Sequence, residues 1–464
     1  MDLTPWLDLL RPTFEGKRVI IALQHAAAAE ADVRQVLKLG ATEVLVVAAR
    51  SGGLGADPAD HGARVVTLGI DHDGTAGGSI QAVQRALASL PEWVCVELDR
   101  FDSDRNAVVL GDFLNENSSL GGRPFVFHRR PEWLALDEKT EVDSLWDAVG
   151  IARAPSVIVD ATLKAVANAF VEVDRSDGVV VAVDSSTGWT GGGEGTRWIR
   201  DRNPDSIGEA LGTWLQPGRR VRVMPFLEGT PCSIHGIVFD DYVVALRPVE
   251  MVVLRKVEGG FFYAGCASFY DPPDGDREEM RGLGKKVGAF LRERVGYRGA
   301  FTVDGVMTTE GFRPTELNPR NGAGLMAMER AYGQPLHLLV DFVASGMKAD
   351  WRPAQLEMSL LAAFDARRGG GTWGTAPVVS ESVPASGRVR FGDSSVELAE
   401  ESEPADLVFS SAISANGTFI RALWQQDRIS LGPSTAPLAA KFWNWVDSTY
   451  SLGMGEVSAA RSVR

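Results

Sequence analysis

From Lys17 onward, short apolar, β-branched runs alternate with amphipathic stretches: RVIIAL at 18–23, a helical ADVRQVLKLG at 31–40, then EVLVVAA at 43–49. Apolar residues recurring every three or four positions mark one face of a helix, and short continuous apolar runs mark buried strands. The succession predicts a βαβ unit, extended by RVVTLGI at 64–70, a helical SIQAVQRALASL at 79–90, WVCVEL at 93–98 and PFVFH at 124–128. The expected product is a small open parallel sheet with helices on its faces. No strand leads into a G-x-G-x-x-G turn, because Gly52, Gly53 and Gly55 run into Ala-Asp-Pro. The region therefore reads as the wall of a larger site, not as a dinucleotide fold.

The pattern then changes. A helix at about 138–149, a strand PSVIV at 155–159, a helix near 161–171 and a strand GVVVAV at 178–183 precede the glycine-rich segment DSSTGWTGGGEGTR at 184–197. Beyond the strand-like Trp198-Ile199 and a helix near 206–215, RVRVMPFLEG at 220–229, SIHGIVF at 233–239 and DYVVALRPVEMVVLRK at 241–256 predict antiparallel strands. A basic-faced helix at 276–295 follows. Gly, Lys, Asp and Pro crowd together at 346–353. After them SLLAAFDA, GRVRFG, SVELAE and DLVFSSAI predict a β-rich tail with a final helix near 436–449. A chain of 464 residues exceeds what one core usually serves. Three domains are expected, at 1–130, 131–347 and 348–464, the second carrying a subdomain at about 155–220.

Charge narrows the function. A net charge of -14 disfavours nucleic acid and anionic membrane, both of which demand clustered Lys and Arg. The three cysteines, Cys95, Cys232 and Cys266, fit neither a disulfide framework nor a thiolate zinc site. Met1 to Leu10 show no basic segment leading into an apolar one, and no run approaches a membrane span. A cytoplasmic protein acting on small molecules is expected. The scattered histidines show no H-x-x-H spacing, His235 reads as a packed strand residue, and no G-x-S-x-G occurs.

The most informative stretch is FTVDGVMTTEGFRPTELNPRNG at 301–322, which reads as a β-hairpin. A three-residue loop, Thr309-Glu310-Gly311, would pair residue 308 with 312 and set Asp304 opposite Glu316. Side chains alternate between strand faces, so Asp304, Glu316, Asn318 and Arg320 share one face. Opposed carboxylates repel unless a cation lies between them. A hard ion such as magnesium satisfies them, with Asn318 supplying a neutral oxygen and bound phosphates the rest.

TELNPRNGAG resembles the metal-binding strand of the ATP-grasp superfamily, usually Glu-hydrophobic-Asn-Pro-Arg, preceded at the matching distance by an acid, here Asp304. The resemblance implies ATP with magnesium (manganese can substitute) held by Asp304, Glu316 and Asn318, and Arg320 stabilising the transferring phosphoryl group. It implies an α/β and α+β architecture: a pre-ATP-grasp parallel-sheet domain, an ATP-grasp domain of two α+β subdomains with a lid at about 155–220, and the β-rich domain. Gly191, Gly192, Gly193 and Thr196 would form the lid, Lys139 would meet phosphate, and Met224, Pro225, Phe226 and Leu227 would hold adenine, with Glu228 on the ribose. Arg247 and Arg255, with Glu250, would bind a substrate carboxylate. The chain departs from the family where a lid-strand Lys is usual: Asp184 stands there, no Lys occurs between 165 and 255, and Arg197 and Arg200 are the substitutes at hand.

Within the superfamily, MPFLEGTPCSIHG, GWTGGGEGTRWIR and FRPTELNPRNGAG are most similar to peptide ligases of the pheganomycin type. That implies an acid–amino-acid ligase that joins an amino-acid or peptide carboxylate to an amine through an acyl phosphate. A homodimer is compatible with it. The alternatives are biotin-carboxylase-like carboxylation and a non-catalytic nucleotide-binding regulator.

Overall fold

Four parallel strands, β1 (Arg18–His25), β2 (Glu43–Arg50), β3 (Arg64–Thr67) and β4 (Val108–Gly111), form a sheet in the order β3-β2-β1-β4. The computed structural model describes residues 3–461 apart from 52–54, 71–75, 186–192, 258, 394 and 415. WVCVEL is not a strand of this sheet. It lies in the helix Glu92–Phe101, which buries Val94, Leu98 and Phe101. Their spacing of four and three is helical, and a short apolar run hides that period. The fourth strand is Val108–Gly111, which the sequence reading passed over. PFVFH also contributes less than expected. Only Arg123–Pro124 (β6) pairs as a strand, with Ser119–Leu120 (β5), while Phe125 makes a single bridge to Val109.

The second sheet runs β7-β10-β8-β9 and is antiparallel: β7 (Val157–Asp160), β8 (Val179–Val183), β9 (Thr196–Ile199) and β10 (Arg220–Pro225). The helices Leu163–Val173 and Pro204–Leu211 cover one face, burying Val166, Phe170, Ile207 and Leu211 against Val179, Val181, Val221 and Val223.

The third sheet is the largest. Its first part comprises β11 (Thr230–Val238), β12 (Val243–Lys256), β13 (Phe261–Ala267), β14 (Gly299–Thr308) and β15 (Gly311–Asn318) in the order β15-β14-β11-β12-β13. It continues through β16 (Gly370–Ala376) into β17 (Ser386–Phe391), β18 (Val396–Leu398), β19 (Leu407–Ser414) and β20 (Gly417–Trp424), while β21 (Val457–Ser458) pairs with β12. The long helix Asp274–Val295 packs on β11 and β12.

The tail differs from its sequence reading in three places, one of them the strand Gly417–Trp424, which that reading passed over. SLLAAFDA lies in the helix Pro353–Ala366, which buries Leu356, Leu360, Ala363 and Phe364 at helical spacing. The strand that joins the tail to the large sheet is GGTWGTA, whose glycines hid it. A Cβ on Gly371 would stand 2.0 Å from the Ala422 carbonyl oxygen, so close backbone approach, not side-chain packing, dictates the residue there. Among the described residues no helix is long and apolar enough to cross a membrane.

Candidate active site

The hairpin β14–β15 turns on two residues, Thr309 and Glu310, since Thr308 pairs with Gly311. The expected three-residue loop is therefore one residue too long. Continued unbroken, the observed register would set Asp304 opposite Thr315. A bulge between Asp304 and Gly305 adds one residue on β15 and restores Asp304 to Glu316. Thr315 is the extra residue, and its hydroxyl donates to the Asp304 carbonyl at 3.2 Å. Gly305 permits the distortion, because a Cβ there would stand 2.3 Å from the Arg313 carbonyl oxygen.

On the other side of β14, Ser233 and His235 of β11 pair with Asp304 and Thr302. Two rows of side chains thus cross three strands on one face: Glu316, Asp304, Ser233, then Asn318, Thr302, His235. They floor a cavity of about 360 Å³. Lys139, from the loop before the helix Val142–Ala148, reaches the same face with Nζ 3.1 Å from Glu316 Oε1. Asn318 Nδ2 donates to Asp304 Oδ2 at 2.8 Å, and Arg320 Nη2 donates to Asn318 Oδ1 at 2.5 Å.

The structure brings Asp304, Glu316, Asn318, Arg320 and Lys139 together. Burial first, and then the Glu316 charge, pushes the Asp304 carboxyl up to about 7. The Asn318 oxygen expected to face a cation is turned to Arg320, because the adjacent carboxylate draws the amide NH2. Half a turn of the carboxamide exchanges the two. Among the described residues no group of three or more His, Cys, Asp or Glu side chains is placed to hold a metal ion. Two opposed carboxylates and an amide fit a hard cation that takes its remaining oxygens from water and phosphate, as magnesium commonly does.

One end of the cavity is apolar. Met224, Pro225, Phe226 and Leu227 line it beside Val180, Phe261 and Thr196. Trp198 stacks on Phe226 with ring centroids 4.2 Å apart. Gly193, at φ +85°, also lines the cavity, whereas Gly191 and Gly192 lie outside the described residues.

Other expected residues are placed differently. Glu228 is absent from the cavity wall: its carboxylate accepts from Arg255 Nη1 at 3.0 Å, from Arg255 Nη2 at 2.5 Å and from the Arg461 backbone N–H at 2.9 Å. Arg255 lines the cavity, but its guanidinium is bound to Glu228 and lies over the Phe226 ring. Arg247 lies outside the wall and donates to Asp365 on the helix Pro353–Ala366. Glu250 is fully buried and accepts from Ser434, Thr435 and the Ala436 N–H. It stabilises the start of the helix Ala436–Tyr450, where unpaired N–H groups favour an anion. β12 runs past the cavity, so its polar residues serve different neighbours along its length. Arg197 and Arg200 lie over Trp214 and Trp198 and line no part of the cavity.

His235, Thr302, Ser233, Tyr263 and Cys266 line the cavity without having been singled out as site residues. His235 is buried, paired with Thr302 Oγ1 at 2.9 Å and Ser233 Oγ at 3.2 Å, and burial pushes it down to about 3. It is a neutral floor residue, in keeping with its sequence reading as a packed strand residue. Gly322 and Gly324 let the helix Ala323–Tyr332 close on it: a Cβ on Gly324 would stand 2.3 Å from His235 Nε2. The period-two register of β11 against β14 was the signal for these residues. It becomes readable only once that pairing is known.

No protein-family model matches the chain, and no curated protein matches it in sequence. Solved structures match its fold. Biotin carboxylase from Campylobacter jejuni, in a β-γ-ATP complex, aligns over 88% of this chain and 87% of its own at 12% identity and a TM-score of 0.55. The biotin carboxylase domain of Hydrogenobacter thermophilus 2-oxoglutarate carboxylase, complexed with MgADP, ADP and bicarbonate, aligns over 96% and 91% at 12% identity and a TM-score of 0.53. Pyruvate carboxylase from Rhizobium etli aligns over 89% of this chain and 36% of its own at 16% identity and a TM-score of 0.52. At such identities the likeness is one of fold alone: this chain shares the fold of these carboxylases.

Proposed function

We propose that the chain is an ATP-dependent ligase that activates a carboxylate as an acyl phosphate and joins it to an amine, releasing ADP and phosphate. The observation that carries this reading is the half-buried Asp304–Glu316 pair, two carboxyl groups directly opposed on a cavity floor and flanked by Lys139 and Arg320.

In this reading Asp304, Glu316 and Asn318 hold magnesium, which when bound neutralises polyphosphate charge. Met224 to Leu227 and Phe261 pack against the adenine ring. Lys139, drawn off Glu316, turns to phosphate, and Arg320 orients the substrate carboxylate, whose oxygen attacks the γ-phosphorus as ADP leaves. The amine then attacks the acyl carbon and the C–O bond to phosphate breaks. The ammonium form of the amine gives one proton to solvent before attack, and the proton the nitrogen sheds on forming the amide leaves with phosphate. The motifs at 188–200, 224–236 and 312–324 support an amino-acid or peptide carboxylate as donor, as in pheganomycin-type peptide ligases.

The fold neighbours favour a second reading, carboxylation of biotin with bicarbonate. Hydroxylamine separates the two because it intercepts acyl phosphates as hydroxamates. Incubation with ATP, magnesium, hydroxylamine and pooled carboxylic acids is expected to yield a hydroxamate. ADP formation that instead requires biotin and bicarbonate would overturn the ligase reading.

A further inference from the structure

Part of the wall at the apolar end of the cavity comes from a distant stretch of the chain. Ala460 lines the cavity there together with Phe226, Phe261 and Arg255. The segment that brings it is fastened along its length. Asp447, on the helix Ala436–Tyr450, accepts from the Met454 N–H at 2.8 Å and from the Gly455 N–H at 3.1 Å. One turn earlier, Asn444 meets both backbone groups of Val457, accepting from its N–H and donating to its carbonyl at 2.9 Å each. Val457 is itself buried, and Ser458 pairs with Arg255 near the end of β12. The chain then passes Ala460 and reaches Glu228, whose carboxylate accepts from the Arg461 N–H at 2.9 Å.

Glu228 thereby joins two pieces of the wall. The same carboxylate accepts from both terminal nitrogens of Arg255, and the Arg255 guanidinium lies over the Phe226 ring, 4.9 Å from its centroid. Phe226 in turn stacks on Trp198 of β9. A guanidinium held at once by a carboxylate fork and an aromatic face has little freedom left. Oε1 of Glu228 accepts twice and Oε2 once, and the residue stands off the cavity wall. To reach a ribose hydroxyl it would have to give up charge-assisted bonds, the strong ones of their kind.

We propose that residues 456–461 are a strap that forms part of the nucleoside pocket, and that Glu228 is a positioning residue that holds the strap and Arg255 together without touching the ribose. This rests on nucleotide occupying the apolar end, and it departs from the role that the family resemblance gives Glu228. Nucleoside binding is thereby tied to the helix Ala436–Tyr450, which fastens the strap while none of its residues lines the cavity.

The test is calorimetric titration of the wild type and two variants with ADP, 2′,3′-dideoxy-ADP and inorganic pyrophosphate, each with magnesium. Glu228→Gln is expected to weaken ADP and dideoxy-ADP by the same factor, at least about fivefold, because the ribose hydroxyls take no part in what Glu228 does. The double variant Asn444→Ala, Asp447→Ala is expected to weaken both nucleotides likewise, with pyrophosphate affinity held within about twofold, since the strap stands at the nucleoside end. A Glu228→Gln effect on ADP that vanishes with dideoxy-ADP would overturn the proposal and return Glu228 to the ribose. ADP affinity unchanged in either variant, or pyrophosphate weakened as much as ADP, would overturn the strap while leaving the nucleotide reading standing. Failure of the wild type to bind ADP would overturn both.

Discussion

Asp304 and Glu316 face each other across adjacent strands only because a bulge at Thr315 corrects the register set by a tight two-residue turn. The pairing is therefore built twice over, by the turn and by the bulge. Gly305→Ala places a methyl group against the Arg313 carbonyl, and overpacking of this kind costs about 1–3 kcal/mol. The expected outcome is a lower melting temperature together with a loss of magnesium-dependent nucleotide binding. Unchanged binding in Gly305→Ala would show that the register is not what assembles the site.

The opposed carboxylates make the metal-free protein sensitive to pH. Asp304 is raised above its unfolded value near 3.8, so the native state holds a proton there that the unfolded chain has lost. Stability without divalent ions falls as pH rises from about 4 to about 7, at up to ~1.4 kcal/mol per unit. Asp304→Asn removes that slope and raises stability at pH 8. Urea titrations in EDTA at pH 5 and pH 8 check the sign, and a variant less stable than wild type at pH 8 would contradict it.

His337 carries pH dependence in a different place. Its Nε2 lies 2.6 Å from Asp32 and its Nδ1 2.6 Å from Glu329, tying the helix Leu336–Ser345 to the parallel-sheet region. Burial opposes its charge, but the two carboxylates prevail and raise its pKa well above 6.5. The nearby buried Asp341 carboxyl is raised to about 7. The stability from charged His337 is complete below pH 6.5 and is lost as pH rises through the raised value. His337→Gln is expected to cost about 2–4 kcal/mol at pH 6 and little at high pH. A cost independent of pH, measured by thermal melts across the range, would show that packing and not charge is at work.

Glu250 distinguishes a structural role from a binding one. Its carboxylate takes donors from Ser434, Thr435 and Ala436, so Glu250→Ala strands them and costs about 2–4 kcal/mol. KM for ATP and for the carboxylic acid are expected to stay within about threefold at a temperature where the variant remains folded. A large rise in the acid's KM with stability preserved would return Glu250 to substrate binding.

Periodicity revealed the parts of the molecule that pack by side chains. The βαβ rhythm at 18–49, the strands β11 and β12 and the hairpin at 301–318 were legible because burial imposes a period of two or 3.6, whereas β13 and β20 were passed over. Gly370–Ala376 escaped because backbone contact governs it, and WVCVEL misled because a six-residue apolar run is shorter than two helical turns. At the site, Asp304, Glu316, Asn318 and Arg320 were legible from the alternation within one hairpin, while Thr302, Ser233 and His235 were not. The destinations of Arg247, Glu228 and Glu250 were not, because their partners, Asp365, Arg255, Arg461 and Thr435, are brought to them by the fold and leave no local mark.

Calorimetric titration of ADP, with and without magnesium, into the wild-type protein and into the Asp304→Asn, Glu316→Gln double variant tests the central claim most directly. Magnesium is expected to tighten ADP binding at least about tenfold in the wild type and to do nothing in the variant. The same enhancement in both proteins, or no ADP binding by the wild type, would contradict the account.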